Sequence, residues 1–247
     1  MYDPPGYVWA ITLVGAIGVP ALTLAVLYGG AMRAGLGRRR AALLTGAAAV
    51  VFGGWGAATA VIAGHGWYHM GSGALWFPLA FAGYLGLLLV LRQIPVVKRA
   101  LAAPGMTSRL EYPHTFRVIG VSFLLYLALG YLPALFALPA GLGDIATGIA
   151  APLVAWRLAR GTGRRAAWWH NAFGITDLVV ALTLGGLTGF GLLNVTPSTA
   201  PISELPLALI PTAGIPLFLV LHFTVLSALR APRTARPATT PLTAPAN

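Results

Sequence analysis

Residues 118–158 read VIGVSFLLYLALGYLPALFALPAGLGDIATGIAAPLVAWRL, a run with one acid, Asp144, and no basic side chain before Arg157. A membrane-crossing helix needs roughly 20 mainly apolar residues to cover about 30 Å of hydrocarbon. The run therefore holds either two crossings or one crossing with an interfacial remainder. Leu138-Pro139-Ala140-Gly141 is the stretch where two crossings would join, and it is a very short connection. The choice decides on which side of the bilayer everything downstream lies.

Composition makes the membrane reading general. Of 247 residues, 57% are apolar and 9% charged, and the mean hydropathy is +0.80. Soluble domains carry roughly a quarter charged residues, so an ordinary cytosolic globule is excluded, as is disorder outside the ends. The class is all-α, a polytopic helix bundle. There is no cysteine, which removes disulfides, thiolate metal sites and cysteine nucleophiles together. Fifteen Arg and one Lys against five acids give a formal charge of +11. In a soluble chain this would suggest nucleic acid. In one this apolar it points instead to loops lying on anionic lipid at the cytoplasmic face.

Seven stretches are long and apolar enough to cross: 7–30, 41–64, 74–91, 118–137, 142–158, 167–193 and 205–229. Cations of short loops stay on the cytoplasmic side, and seven crossings put every Lys and Arg there. The groups are Arg33 and Arg38–Arg40; Arg92, Lys98, Arg99, Arg109 and Arg117; Arg157, Arg160, Arg164 and Arg165; and Arg230, Arg233 and Arg236. Merging residues 118–158 into one crossing would throw the last two groups outside, whereas a re-entrant hairpin there would preserve the sidedness. The expectation is one seven-helix domain over residues 1–230, N-terminus out and C-terminus in, in the cell membrane. The Ala-, Gly-, Pro- and Arg-rich usage suits a GC-rich bacterial genome. Met1-Tyr2-Asp3-Pro4-Pro5 lacks the basic start of a signal peptide, and the Pro/Thr/Ala-rich residues 231–247 read as a disordered cytoplasmic tail.

Lipid gives no hydrophobic drive for helix association, so small residues at helix contacts are expected to let backbones approach. Gly53, Gly54 and Gly56 in the second span and Gly174, Gly185, Gly186 and Gly189 in the sixth are the candidates. Pro211 and Pro216 each remove a helical hydrogen bond and should kink the seventh span. The freed carbonyls either line a cavity or are filled by a neighbouring helix.

Ionisable groups inside a bilayer are functional candidates because burying them is costly. Asp177 falls near the midplane of the sixth span. His170 lies seven residues earlier on nearly the same face, and His222 on the last span is at comparable depth. No Lys or Arg is expected at that depth, so Asp177 should be protonated or bonded to a hydroxyl or water. Asp144 and Glu204 stand where the fifth and seventh spans begin at the outer face. They serve there as first-turn acids against the helix dipole, or join His65 and His69 of the second loop as an outer-face site. No metal motif and no cofactor signature is present. The long loop 93–116, with Tyr112 and His114, reads as an interfacial segment on anionic lipid and has no phosphate-binding loop.

Three pieces, LPAGLGDIATGIAAP (138–152), HNAFGITDLVVA (170–181) and ELPLALIPTAGIPLFLVLH (204–222), resemble a group of uncharacterised bacterial multi-pass membrane proteins. The resemblance implies no activity. A retinal protein needs a lysine in its last helix, and the only one here, Lys98, is in a loop. Small membrane-bound terpene cyclases share the size and the intramembrane acids without a matching signature. Three readings follow. The first is transport or sensing of a small molecule or proton with Asp177 as the coupling acid. The second is an intramembrane enzyme using Asp177 or Asp144 as general acid on an apolar substrate. The third is a structural or partner subunit of a membrane complex.

Overall fold

A computed structural model describes residues 3–70 and 75–231. Arg233, Arg236 and all but the first residue of the expected tail lie outside the described residues. Among these, every regular element is helical. Helices α1 (Gly6–Arg33) and α2 (Gly37–Gly64) form an antiparallel pair, joined through Gly35, whose φ of +74° only glycine adopts cheaply. Helix α3 (Trp76–Leu91) turns through 85° into α4 (Pro95–Leu101). A short α5 (Met106–Arg109) leads into a 3-10 helix, Tyr112–Gly120, and then α6 (Val121–Ala128). Helices α7 (Ala134–Ala159) and α8 (Arg164–Gly189) follow. A π-helical turn, Ile210–Gly214, then opens α9 (Ile215–Arg230).

Five of these segments are long and apolar enough to cross a membrane: α1, α2, α7, α8 and residues Ile210–Arg230. The bent pair α3–α4 makes a sixth if taken as one span.

The turn expected at Leu138-Pro139-Ala140-Gly141 does not exist. Helix α7 runs through it with Pro139 and Pro152 inside, and the chain reverses earlier, between Leu129 and Pro133. A helix in apolar surroundings tolerates an internal proline where neighbouring helices, hydroxyl side chains or local 3-10 and π adjustments re-satisfy the freed carbonyl. A continuous helix over 118–137 is likewise absent, its place taken by the end of the 3-10 segment and the eight residues of α6.

The described cations, Arg117 excepted, gather at one end of the bundle. There Arg99 donates to Ala34 O across from α4 to the α1–α2 turn, and Arg164 donates to Leu229 O, tying α8 to the end of α9. The other end, holding residues 65–70, 129–133 and 190–205, carries none among the described residues. Hydroxyls inside the spans bond back to the carbonyl four residues earlier, as Thr12, Thr23, Thr147 and Thr224 do, so few enter the apolar interior unpaired.

The proline kink of the last span is a filled one. Trp55 of α2 donates to the Thr212 carbonyl at 2.9 Å, and a hydroxyl chain runs from Tyr68 through Thr59 and Thr212 to Ala208 O. The glycines divide differently from expectation. A Cβ on Gly53, Gly54, Gly56 or Gly186 would meet nothing, whereas one on Gly148 of α7 would sit 2.5 Å from the backbone nitrogen of Val118. Gly148 is the residue that lets the 3-10 segment lie directly against α7. Gly148→Ala should therefore lower stability by about 1–3 kcal/mol, and Gly53→Ala should be neutral or slightly stabilising. Thermal unfolding of both variants in the same detergent separates the two kinds of glycine.

Candidate functional site

The 3-10 segment Tyr112–Gly120 has three residues per turn, so residues spaced by three stack on one face. Glu111, His114, Arg117 and Gly120 have that spacing, and all four are buried. Their face meets α7 and α8, which run antiparallel. Asp144 lies fifteen residues before the end of α7 and Asp177 thirteen residues into α8. At 1.5 Å per residue both sit about 20 Å from the cationic end. The two acids are level, and the Arg117 guanidinium lies between them.

Arg117 Nε donates to Asp144 Oδ1 at 2.6 Å, and Nη2 donates to Asp177 Oδ2. Nη1 donates to the Gly174 carbonyl and to His222 Nε2, each at 3.2 Å. The Arg117 side chain is fully buried, Asp177 is 7% exposed and Asp144 15%. Three glycines make the room. A Cβ on Gly120 would strike Asp144, one on Gly143 the Asp177 carboxylate, and one on Gly174 the His222 ring.

The network continues toward the cationic end. Asn171 donates through Nδ2 to Glu111 Oε1 at 2.7 Å and to Ala167 O at 2.8 Å. Its Oδ1 is therefore the acceptor that faces His222 Nδ1 at 2.8 Å. His222 thus carries its proton on Nδ1 and accepts from Arg117 on Nε2, the neutral tautomer. His170 Nε2 faces Thr147 O at 3.1 Å and must donate. Its Nδ1 lies 3.1 Å from Glu111 Oε2, an ion-pair distance at which neither atom has a hydrogen-bond partner. His114 stacks on His222 with ring centroids 3.8 Å apart, and neither of its ring nitrogens has a hydrogen-bond partner. One guanidinium accompanies three carboxylates, so neutrality of the buried cluster needs two further protons. The carboxylates and imidazoles of the cluster are the groups able to hold them.

Beyond the two aspartates, on the side away from the cations, lies a cavity of about 230 Å³. Phe77, Phe81, Phe123, Phe136 and Phe190 line it, together with aliphatic residues of α8 and the π-helical turn. Among the described residues Asp144 is its one ionisable lining residue.

Asp177, His170 and His222 are thus brought into one network, but through Arg117, Asn171 and Glu111 rather than directly. The two imidazoles are 6.1 Å apart, and both lie near His114. Two expectations are corrected. Asp177 has an arginine at its own depth, because residues 112–120 leave the interface and enter the bundle. Asp144 is not an outer-face acid, because α7 begins two turns earlier than expected and carries it inward.

His65, His69 and Glu204 stay near the opposite end. His65 lies 2.8 Å from Val61 O of its own helix, His69 is exposed and Glu204 half-buried. Among the described residues no hydrogen bond or ion pair joins them to each other or to Asp144. No group of three or more His, Asp or Glu among these residues has a metal-holding arrangement either. Sequence reasoning missed Arg117, Glu111 and Asn171. The readable signal was the strict spacing of three in Glu111, His114 and Arg117, which suits no α-helical face.

Fold and site together define an all-helical membrane-type bundle with an arginine clamped between two acids from facing helices. A family described as Domain of unknown function (DUF8737) matches residues 74–230, and the chain belongs to that family. No curated protein and no solved structure matches it. Every residue of the network falls within the matched region, which leaves out α1 and α2.

Removing the cation alone leaves two buried carboxylates unpaired. Arg117→Met is expected to cost about 3–5 kcal/mol, while the triple variant Arg117→Met, Asp144→Asn, Asp177→Asn should recover most of that loss. Reversible unfolding by detergent titration in mixed micelles measures both.

Proposed function

We propose that this chain is a seven-crossing cell-membrane protein that transports or senses a small, largely apolar molecule held in the phenylalanine-lined chamber, coupled to a proton on the Asp144–Arg117–Asp177 cluster. The observation that carries this reading is the double position of Asp144, which is hydrogen-bonded to Arg117 and is also the chamber's one ionisable residue. A positively charged or strongly donating occupant beside Asp144 replaces a proton in neutralising the surplus carboxylate, so binding and proton release are linked. Asp177 is the second half of the same acid pair, and the His222–Asn171–Glu111–His170 chain extends it toward the cationic end.

Seven crossings are supported by the geometry of Tyr112–Ala128. Nine 3-10 residues at about 2.0 Å and eight α-helical residues at about 1.5 Å reach about 30 Å, enough for a broken fourth crossing. With α3 as the third, the first and last residues of the bundle fall on opposite sides. The cationic end is then cytoplasmic by the positive-inside rule. Single-cysteine labelling in intact cells should modify His69→Cys from outside and Arg160→Cys only after permeabilisation. Both labelled from the same side would end the odd count.

Benzyltrimethylammonium is a suitable probe for the chamber because it is aromatic, cationic and unable to carry a proton itself. Added to purified protein in weakly buffered detergent, it should release on the order of one proton per chain, read by a pH indicator. Asp144→Asn should remove the release. Binding with no proton released would overturn the coupling.

A second reading is favoured by the ring faces that surround a carboxylic acid in the chamber. Asp144 as general acid would protonate an apolar substrate, and the phenylalanines would stabilise the resulting cation. Turnover of a chamber-sized alkene, lost in Asp144→Asn, would select this reading over the first. Variants that change only stability would leave the cluster a helix-pinning device.

A further inference from the structure

Two cavities meet at the cationic end, and neither is lined by a residue of the polar network. One is an apolar slot of about 180 Å³ between α1, α2, α3, α4 and α9, lined by such residues as Leu27, Ala47, Leu91, Leu101 and Val220. The other, of about 390 Å³, is polar and lies between the α3–α4 bend and the end of α9, with Gln93, Lys98 and Ser227 in its wall. Arg92, Leu101 and Thr224 line both. Arg92 is thus the post between a greasy slot and a polar mouth, and its buried Nε has no hydrogen-bond partner. Lys98 is the chain's single lysine and stands exposed on the first turns of α4.

The shape has a chemical meaning. Helix α4 leaves α3 at 85°, so it lies across the bundle end at the level where lipid headgroups would be. Among the described residues no acid lines either cavity, so the two cations have no acidic counterpart in these walls, and the adjoining slot is lined by apolar side chains. We infer that this paired cavity holds one anionic glycerophospholipid, with its phosphodiester against Arg92 and Lys98 and an acyl chain in the slot. Long cationic side chains near a membrane surface each contribute about a five-fold preference for anionic lipid. Here two of them converge on one mouth rather than spreading along a face. The inference is independent of the chamber reading, because it uses no residue of the Arg117 network.

Electron spin resonance of acyl-labelled lipid decides it. The full chain is reconstituted in phosphatidylcholine vesicles with a trace of spin-labelled phosphatidylglycerol, and separately with spin-labelled phosphatidylcholine. A motionally restricted component should favour phosphatidylglycerol. It should fall about five-fold for each cation removed in Arg92→Gln and Lys98→Gln. Arg38→Gln/Arg39→Gln removes two cations elsewhere at the same end and should leave the preference nearly intact. Ala47→Phe, which fills the slot without touching a charge, should also release the restricted lipid. Equal loss in the Arg38/Arg39 variant, or no preference in the unmodified chain, would overturn the site. Displacement of the signal by inorganic phosphate alone would assign the cations to free phosphate and overturn the lipid.

Discussion

The arrangement turns on one guanidinium placed where water is scarce. Arg117 satisfies four hydrogen bonds at once, to Asp144, Asp177, the Gly174 carbonyl and His222. Those partners belong to α7, α8 and α9, so a single side chain fixes the relative height of three helices. An arginine in hydrocarbon is tolerated only when its donors are met and its charge is matched. That requirement explains local features that would otherwise look unrelated. The 3-10 segment brings Arg117 inward at the right height, and Gly148 lets that segment touch α7. Gly120, Gly143 and Gly174 each leave the space that a carboxylate or an imidazole occupies.

The same clamp divides the bundle's interior into two chemistries. Toward the cationic end the polar groups follow one another from His222 through Asn171 and Glu111 to His170 and the Thr147 carbonyl, with the unpaired His114 ring stacked beside them. Away from that end the walls are phenylalanine and aliphatic side chains. Asp144 stands at the border, packed on Gly120, with one oxygen on Arg117 and part of its side chain lining the chamber. In the proposed reading an occupant of the chamber acts on the acid pair through this residue. The π-helical turn Ile210–Gly214 contributes Ile210 and Pro211 to the same chamber, and its spare carbonyl is held by Trp55. The kink shapes the wall and is not an open site.

How much of this was legible in the sequence depends on what kind of signal each feature leaves. The helical class and the gathering of cations at one end follow from counting, because hydrocarbon penalises charge irrespective of detail. That Asp177, His170 and His222 lie buried in the spans was legible on similar grounds, from their positions within apolar runs. The course of residues 112–144 was not. A proline and a glycine within 139–141 look like a turn to any rule calibrated in water, yet α7 passes through them. Arg117 abuts an apolar run, as a loop cation does, and only its three-residue spacing from His114 and Glu111 distinguishes it. Misplacing those two segments moved Asp144 to the wrong depth and left Asp177 without its counter-charge. The two segments are adjacent, so the inward 3-10 course of 112–120 and the early start of α7 shift together.

A helix-pinning role alone does not account for the cluster's composition. Replacing a buried ion pair by apolar side chains of similar volume is often neutral or stabilising, and one acid per arginine would suffice to orient α7 against α8. Here a single arginine faces two aspartates, with a glutamate and three histidines within the same connected volume, so the group stays neutral only by holding protons. Pinning needs a fixed charge count. A set whose neutrality depends on exchangeable protons, and whose most exposed acid, Asp144, opens onto an apolar chamber, has a charge that an occupant can change. The surplus carboxylate therefore favours ligand-linked protonation over a purely architectural reading.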